Sequence, residues 1–258
     1  MPPLASVDGA LWLINFLLTP ALAIRIIRLD LARKFPFFLA FLLFAILRSL
    51  ILIPFVGSTS QYSRIWGPTE LVVLLLLTLS TLEISSKVLH GYPGVQSLGR
   101  WVTVSGFSVG LIVAFLTAGI TPDVSGRIVT LALVLTVDRG VYFGLTAVIL
   151  LMSLFLLWYP VPTPRNMVVH SFLFALYFLS KAFVILVRTV RGADLHPLFS
   201  ELQLVFGMSC LCAWMLLLRR DSEDPQVTFG RRWNPTEETR LISQLRSINS
   251  SLGRLSRD

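Results

Sequence analysis

The stretch Leu133-Val-Leu-Thr-Val-Asp-Arg-Gly-Val-Tyr-Phe-Gly144 decides how the chain is to be read. Asp138 and Arg139 stand side by side in an apolar run reaching from Ile128 to Tyr159. That run is too long for one membrane crossing of roughly 20 residues and too short for two crossings with a turn. Counting back about 20 residues from Tyr159, one crossing reaches Gly140. The charge pair then sits at a membrane boundary. Residues 128–137 become an extension, either a further turn or two of helix or a short apolar element lying on the surface.

The rest of the sequence supports a membrane setting. The chain has 258 residues, of which 55% are hydrophobic and 14% charged, against about 25% charged in a soluble domain. Unpaired backbone groups are not tolerated in lipid, so long apolar runs must be helices. The ten-residue alternation of a barrel strand is absent. Seven spans are expected, at 9–29, 36–56, 66–89, 98–119, 140–159, 166–190 and 198–218. "IPFVGS", "HGYPG", "AGITPD" and "YPVPTPRN" punctuate the joins. The expected fold class is an all-α polytopic membrane protein, with a transmembrane domain at 1–220 and a tail at 221–258. The start "MPPLASVDGALW" lacks the basic segment of a cleaved signal, so the first apolar stretch is expected to stay as a membrane helix.

The net charge of +8 follows topology rather than nucleic acid, which is not an expected partner. Arg25, Arg28, Arg33, Lys34, Lys87, Arg100, Arg165, Arg219 and Arg220 fall on one side of the expected spans. Arg64, Arg127, Arg188 and Arg191 fall on the other, with Arg139 near its edge. The more basic side is expected to be cytoplasmic, giving N-out, C-in. In the tail, Asn234 can cap a helix with Pro235 at its first position and Glu237 as reciprocal partner. Leu241, Leu245, Ile248, Leu252 and Leu255 then recur as one apolar seam over about 235–257. The amphipathic helix has three expected sites: docked on the protein's own inner loops, on the membrane surface, or against another copy.

Depth, at about 1.5 Å per residue, sorts the polar residues inside the spans. Arg48 stands about 18 Å and Lys181 about 22 Å above the cytoplasmic side. Asn15, Glu70, Asp138, Arg139, Glu201 and Gln203 share that outer half. Buried charges usually face the bundle interior, paired or wet. One reading is an outward-opening cavity for a ligand or ion, built around Arg48, Glu70, Asp138 and Lys181, with Tyr142 and Tyr177 as hydrogen-bonding neighbours. The competing reading has Arg139 and Lys181 reaching to headgroups and Arg48 clipped to Glu70 for packing. Gly106 and Gly110, and Gly140 and Gly144, form two small-residue motifs that let helix backbones approach closely. Trp12, Trp66, Trp101, Trp158 and Tyr159 read as an interfacial aromatic belt.

No enzyme signature emerges. No His-x-x-x-His pair, nucleophile elbow or phosphate loop is present, and His90 with His170 is the sole pairing open to a haem. Cys210 and Cys212 read as small apolar fillers. No metal or cofactor is expected.

Seven spans with N-out, C-in orientation and a helical tail resemble the membrane module of seven-helix bacterial sensors, here without an output domain. "FPFFLAFLLF", "LHGYPGVQSLGRW" and "LWYPVPTPRN" are similar to uncharacterised bacterial multi-span proteins. The resemblance implies the bacterial inner membrane and brings no activity. Rhodopsins are excluded, because the last expected span, "LQLVFGMSCLCAWMLLL", has no lysine. The expected function is a non-enzymatic, sensor-like or accessory module that contacts a protein partner through its tail helix. The alternatives are a small-solute or ion transporter, or a subunit of a larger membrane complex.

Overall fold

The architecture comes from a computed structural model that describes residues 7–55, 58–88, 103–108, 110, 112, 114, 129–158, 162–191, 196–220, 227–228 and 235–255. Helices dominate: α1 (Val7–Arg28), α2 (Pro36–Leu52), α3 (Thr59–Val88), α4 (Val129–Trp158), α5 (Arg165–Arg191), α6 (His196–Leu217) and α7 (Pro235–Leu255). A 3-10 turn, Ile53–Phe55, prolongs α2. Residues 103–108, 110, 112 and 114 are also helical.

Five helices are long and apolar enough to cross a membrane: Gly9–Arg28, Pro36–Phe55, Gln61–Val88, Val134–Trp158 and Arg165–Val187. Within α6, Glu201–Leu217 is a shorter apolar helix. The expected fourth span, 98–119, falls largely outside the described residues. Two boundaries move. α3 starts at Thr59 rather than near Trp66, with Pro68 inside it. Thr69 Oγ1 donates to the Ile65 and Trp66 carbonyls, both at 2.9 Å, beside the gap Pro68 leaves in the backbone ladder. α4 runs unbroken from Val129, so the extension before the charge pair is helix. Asp138 therefore lies inside the apolar segment Val134–Trp158 rather than at its boundary.

The helices close into a ring. α1 packs on α2, α2 on α3, α3 on α4, α4 on α5, α5 on α6, and α6 back on α1. At one end of the ring the basic residues collect. Arg25 donates to the Leu218 carbonyl, Asn166 exchanges hydrogen bonds with Arg219, and the Phe37 amide donates to Glu83. The α1–α2 turn belongs to this end. Asp30 adopts φ 56°, Leu31 N–H bonds to the Ile26 carbonyl and Asp30 N–H to that of Ile27. This is the Schellman closure of a helix, with aspartate where glycine is usual. Ile26 and Leu31 are both buried beside it.

The tail returns to the same end. Val227–Thr228 pairs antiparallel with Pro162–Thr163, in the α4–α5 connection. Leu245 of α7 is 1% exposed and belongs to the same core cluster as Leu22, Phe38, Leu77 and Trp214, while its neighbour Arg246 is exposed. Leu241 is half-buried. The side chains of Ile248, Leu252 and Leu255 lie outside the described residues. Around the ring, Leu17, Leu75, Leu151, Phe172 and Leu216 are exposed, Leu216 by 75%. Water would oppose so broad an apolar exterior, whereas acyl chains accept it.

The two glycine motifs meet. A Cβ on Gly110 would run into the carbonyl of Gly140 and stand 3.0 Å from the Gly144 nitrogen. A Cβ on Gly144 would stand 3.2 Å from Phe107 Cα and 3.3 Å from the Gly106 carbonyl. The helical stretch around 106–110 thus lies directly on the backbone of α4.

Candidate functional site

Inside the ring, away from the basic end, lies a cavity of about 470 Å³. All six described helices of the ring line it, and each does so with one face. α1 contributes Trp12, Asn15 and Thr19; α2 contributes Phe41, Ala45, Arg48, Ser49 and Leu52. α3 contributes Tyr62, Trp66, Glu70, Val73 and Leu77, and α4 contributes Leu135, Asp138 and Tyr142. α5 adds Phe174, Tyr177, Lys181 and Ile185, and α6 adds Gln203, Gly207, Leu211 and Trp214. Steps of three and four residues along every helix place these side chains in inward stripes. Arg48, Glu70, Asp138, Lys181, Tyr142 and Tyr177, the residues expected to share a depth, therefore share a cavity.

Their chemistry differs residue by residue. Arg48 Nη2 donates to Glu70 Oε2 in an ion pair between α2 and α3, with side chains 15% and 9% exposed. Arg48 also lies 5.8 Å from the centre of the Trp66 ring, a cation–π distance. Lys181 makes no ion pair with a carboxylate among the described residues. Its Nζ instead stands 5.6 Å from the Tyr142 ring centre and 5.9 Å from that of Tyr177. Asp138 lies within electrostatic reach of Glu70, Lys181 and Arg48, yet its Oδ1 is buried and accepts no hydrogen bond among the described residues. Arg48 Nε and Trp214 Nε1 are likewise buried without partners among the described residues. The Tyr142 hydroxyl makes no hydrogen bond of ordinary length, with Tyr177 as its polar neighbour. The competing expectations divide accordingly: Arg48 does clip Glu70, while Lys181 faces the cavity rather than lipid.

Toward the basic end the cavity stops at an aromatic layer. Phe174 and Trp214 line it. Phe38 packs against both, with ring centres 5.4 and 5.0 Å away, and Phe178 against Phe174 at 5.4 Å. One turn further, His170 is fully buried between Phe35 at 4.3 Å and Phe38 at 4.9 Å. Neither of its ring nitrogens has a hydrogen-bond partner among the described residues. His90 lies outside the described residues. Beyond His170, Lys87 Nζ pairs with Glu83 at 2.7 Å and stands 5.0 Å from the Phe35 ring. Among the described residues no group of three His, Cys, Asp or Glu side chains could hold a metal. Cys210 is buried and Cys212 exposed, both as free thiols.

Some lining residues are legible only with the fold in hand. Trp12 and Trp66, expected in an aromatic belt, line the cavity, and Tyr62 and Trp214 join them. The available signal was the register Tyr62, Trp66, Glu70, Val73, Leu77, which is one continuous helix face once α3 begins at Thr59. Trp158, by contrast, is 67% exposed. No protein-family model, curated protein or solved structure matches this chain.

Proposed function

We propose that the protein is a non-enzymatic ligand-binding membrane module, sensor-like in action, with its cavity open to the outer side and its tail helix as the output. In this reading the chain crosses a bacterial inner membrane seven times, N-out and C-in. The five long helices are joined by α6 and by the helix containing 103–114. The observation that carries the proposal is the placement of Asn15, Arg48, Glu70, Asp138, Lys181 and Gln203 around one cavity, toward the helix ends away from the basic residues. Polar groups from six helices converge above an aromatic layer, and no polar path through that layer is seen among the described residues. A transporter needs access from both faces in turn.

α6 connects the cavity to the output. Gln203, Gly207 and Trp214 line the cavity. At the other end of the same helix, Leu218 and Arg219 are bonded to Arg25 and Asn166. The tail follows at once and returns to the basic end through the 227–228 strand and Leu245. A ligand with different affinities for two positions of α6 would bias the seating of α7.

Thiol accessibility tests this reading. In a Cys210→Ala, Cys212→Ala background, single cysteines are placed at Gln203 in the cavity and at Arg219 on the basic end. Sealed vesicles of both orientations are treated with a membrane-impermeant methanethiosulfonate. Gln203→Cys should react from the outer face alone and Arg219→Cys from the inner face alone. Reaction of Gln203→Cys from both faces would replace this reading with transport.

A further inference from the structure

We infer that the cavity binds a small zwitterion carrying an apolar or aromatic body, its ammonium directed at Asp138 and its carboxylate at Lys181. The inference rests on the cavity reading above and specifies its ligand.

Charge balance gives the first reason. Arg48, Lys181, Glu70 and Asp138 line the cavity, two cations against two carboxylates. A ligand with net charge would leave a buried charge uncompensated, which is strongly unfavourable in such surroundings. The ligand should therefore be neutral overall.

The two unbridged charges give the second. Glu70 is already satisfied by Arg48. Asp138 and Lys181 are the two charges left over, and among the described residues they form no ion pair with each other. Asp138 keeps an oxygen with no donor among the described residues, so that oxygen can take an ammonium. Lys181 Nζ is held over the tyrosine rings of α4 and α5 rather than on a carboxylate, so it can take an anionic group. A ligand bearing both charges satisfies both groups at once, which a cation or an anion alone cannot do.

The rest of the lining sets the body of the ligand. Trp12, Trp66, Phe174 and Trp214 present large apolar surfaces, and the volume of about 470 Å³ falls in the usual range for small-molecule sites, roughly 300–1,000 Å³. An amino acid with a large apolar side chain fits this description, whereas a bare inorganic ion would leave most of the volume unfilled.

The test uses three probes of one shape: L-phenylalanine, phenethylamine with only the cation, and 3-phenylpropanoate with only the anion. Binding to the full chain in lipid nanodiscs is read by tryptophan fluorescence excited at wavelengths that these probes do not absorb. L-Phenylalanine should bind about tenfold or more tightly than either single-charge probe. Asp138→Asn should weaken L-phenylalanine and phenethylamine about tenfold and spare 3-phenylpropanoate. Lys181→Met should weaken L-phenylalanine and 3-phenylpropanoate and spare phenethylamine. This reciprocal pattern shows that each variant is folded. L-Phenylalanine binding no better than its single-charge relatives, no saturable binding by any of the three, or both variants weakening every probe alike would each overturn the zwitterion assignment. The outward cavity itself is decided separately by the thiol labelling, so the two readings fail independently.

Discussion

Arg48 and Glu70 form an ion pair across the α2–α3 interface while facing the cavity. Taking two charges out of water is costly, and leaving one behind without the other costs more. Glu70→Leu or Arg48→Met alone should therefore destabilise the bundle by about 3–5 kcal/mol. The double variant should recover much of that loss. Thermal unfolding of the four proteins in one detergent measures the cycle. Single losses that simply add in the double variant would show that the two side chains are not coupled.

Gly110 faces a backbone rather than a side chain, and a backbone cannot rotate aside. Gly110→Val should cost about 1–3 kcal/mol by forcing the helices apart. Gly67→Ala is the comparison, since its added carbon would meet only Val134 Cγ2 at an ordinary 3.5 Å. Equal melting temperatures for the two variants would contradict the close approach.

Leu245 ties the tail helix to the core. Leu245→Ala should weaken this docking by about 2–5 kcal/mol, and Leu245→Asp should release it. Either change should raise protease sensitivity and amide exchange over 235–255 while leaving the helix content of the bundle intact. The neighbouring exposed Arg246→Ala should change neither.

His170 sits in an aromatic cage with both ring nitrogens unpartnered. A buried polar group without a partner costs about 1–3 kcal/mol. His170→Phe keeps the ring and removes that cost, so thermal stability should rise. A lower melting temperature would show that the imidazole is held by interactions that a phenyl ring cannot replace.

Asp30 holds the left-handed position in the α1–α2 turn. Asp30→Gly should be neutral or slightly stabilising, whereas Asp30→Val should cost about 1–2 kcal/mol because a β-branched side chain clashes in that conformation. Denaturation midpoints of the two variants should move apart in that order.

The helical membrane character could be read from apolar length and missing charge. Counting rise along each span puts Arg48, Glu70, Asp138 and Lys181 at one depth, and the four line one cavity, even though two spans begin earlier than counted. One shift is at α3, whose first turns carry Ser60, Gln61, Ser63 and Arg64 and so fall outside a count of apolar residues. The other shift is at Asp138. A carboxylate reads as a boundary marker in a linear count, but an inward-facing position with Lys181 and Arg48 nearby lets it sit deeper. The inward direction of each side chain was not legible. It depends on which face of each helix meets the ring, and that is set by neighbours distant in sequence. Trp12 and Trp66 show this, because a tryptophan near a helix end looks alike in sequence whether it meets headgroups or a cavity.

The ring closes between α1 and α6, with Arg25 reaching the Leu218 carbonyl. The seam therefore joins residues 193 positions apart in the chain. Until α6 has inserted, the nascent helices enclose a cleft with one wall missing, and Asp138 and Lys181 face lipid or water. The cavity is thus a property of the finished ring. A chain severed in the α4–α5 connection and supplied as two pieces should regain its cavity when the halves meet in the bilayer.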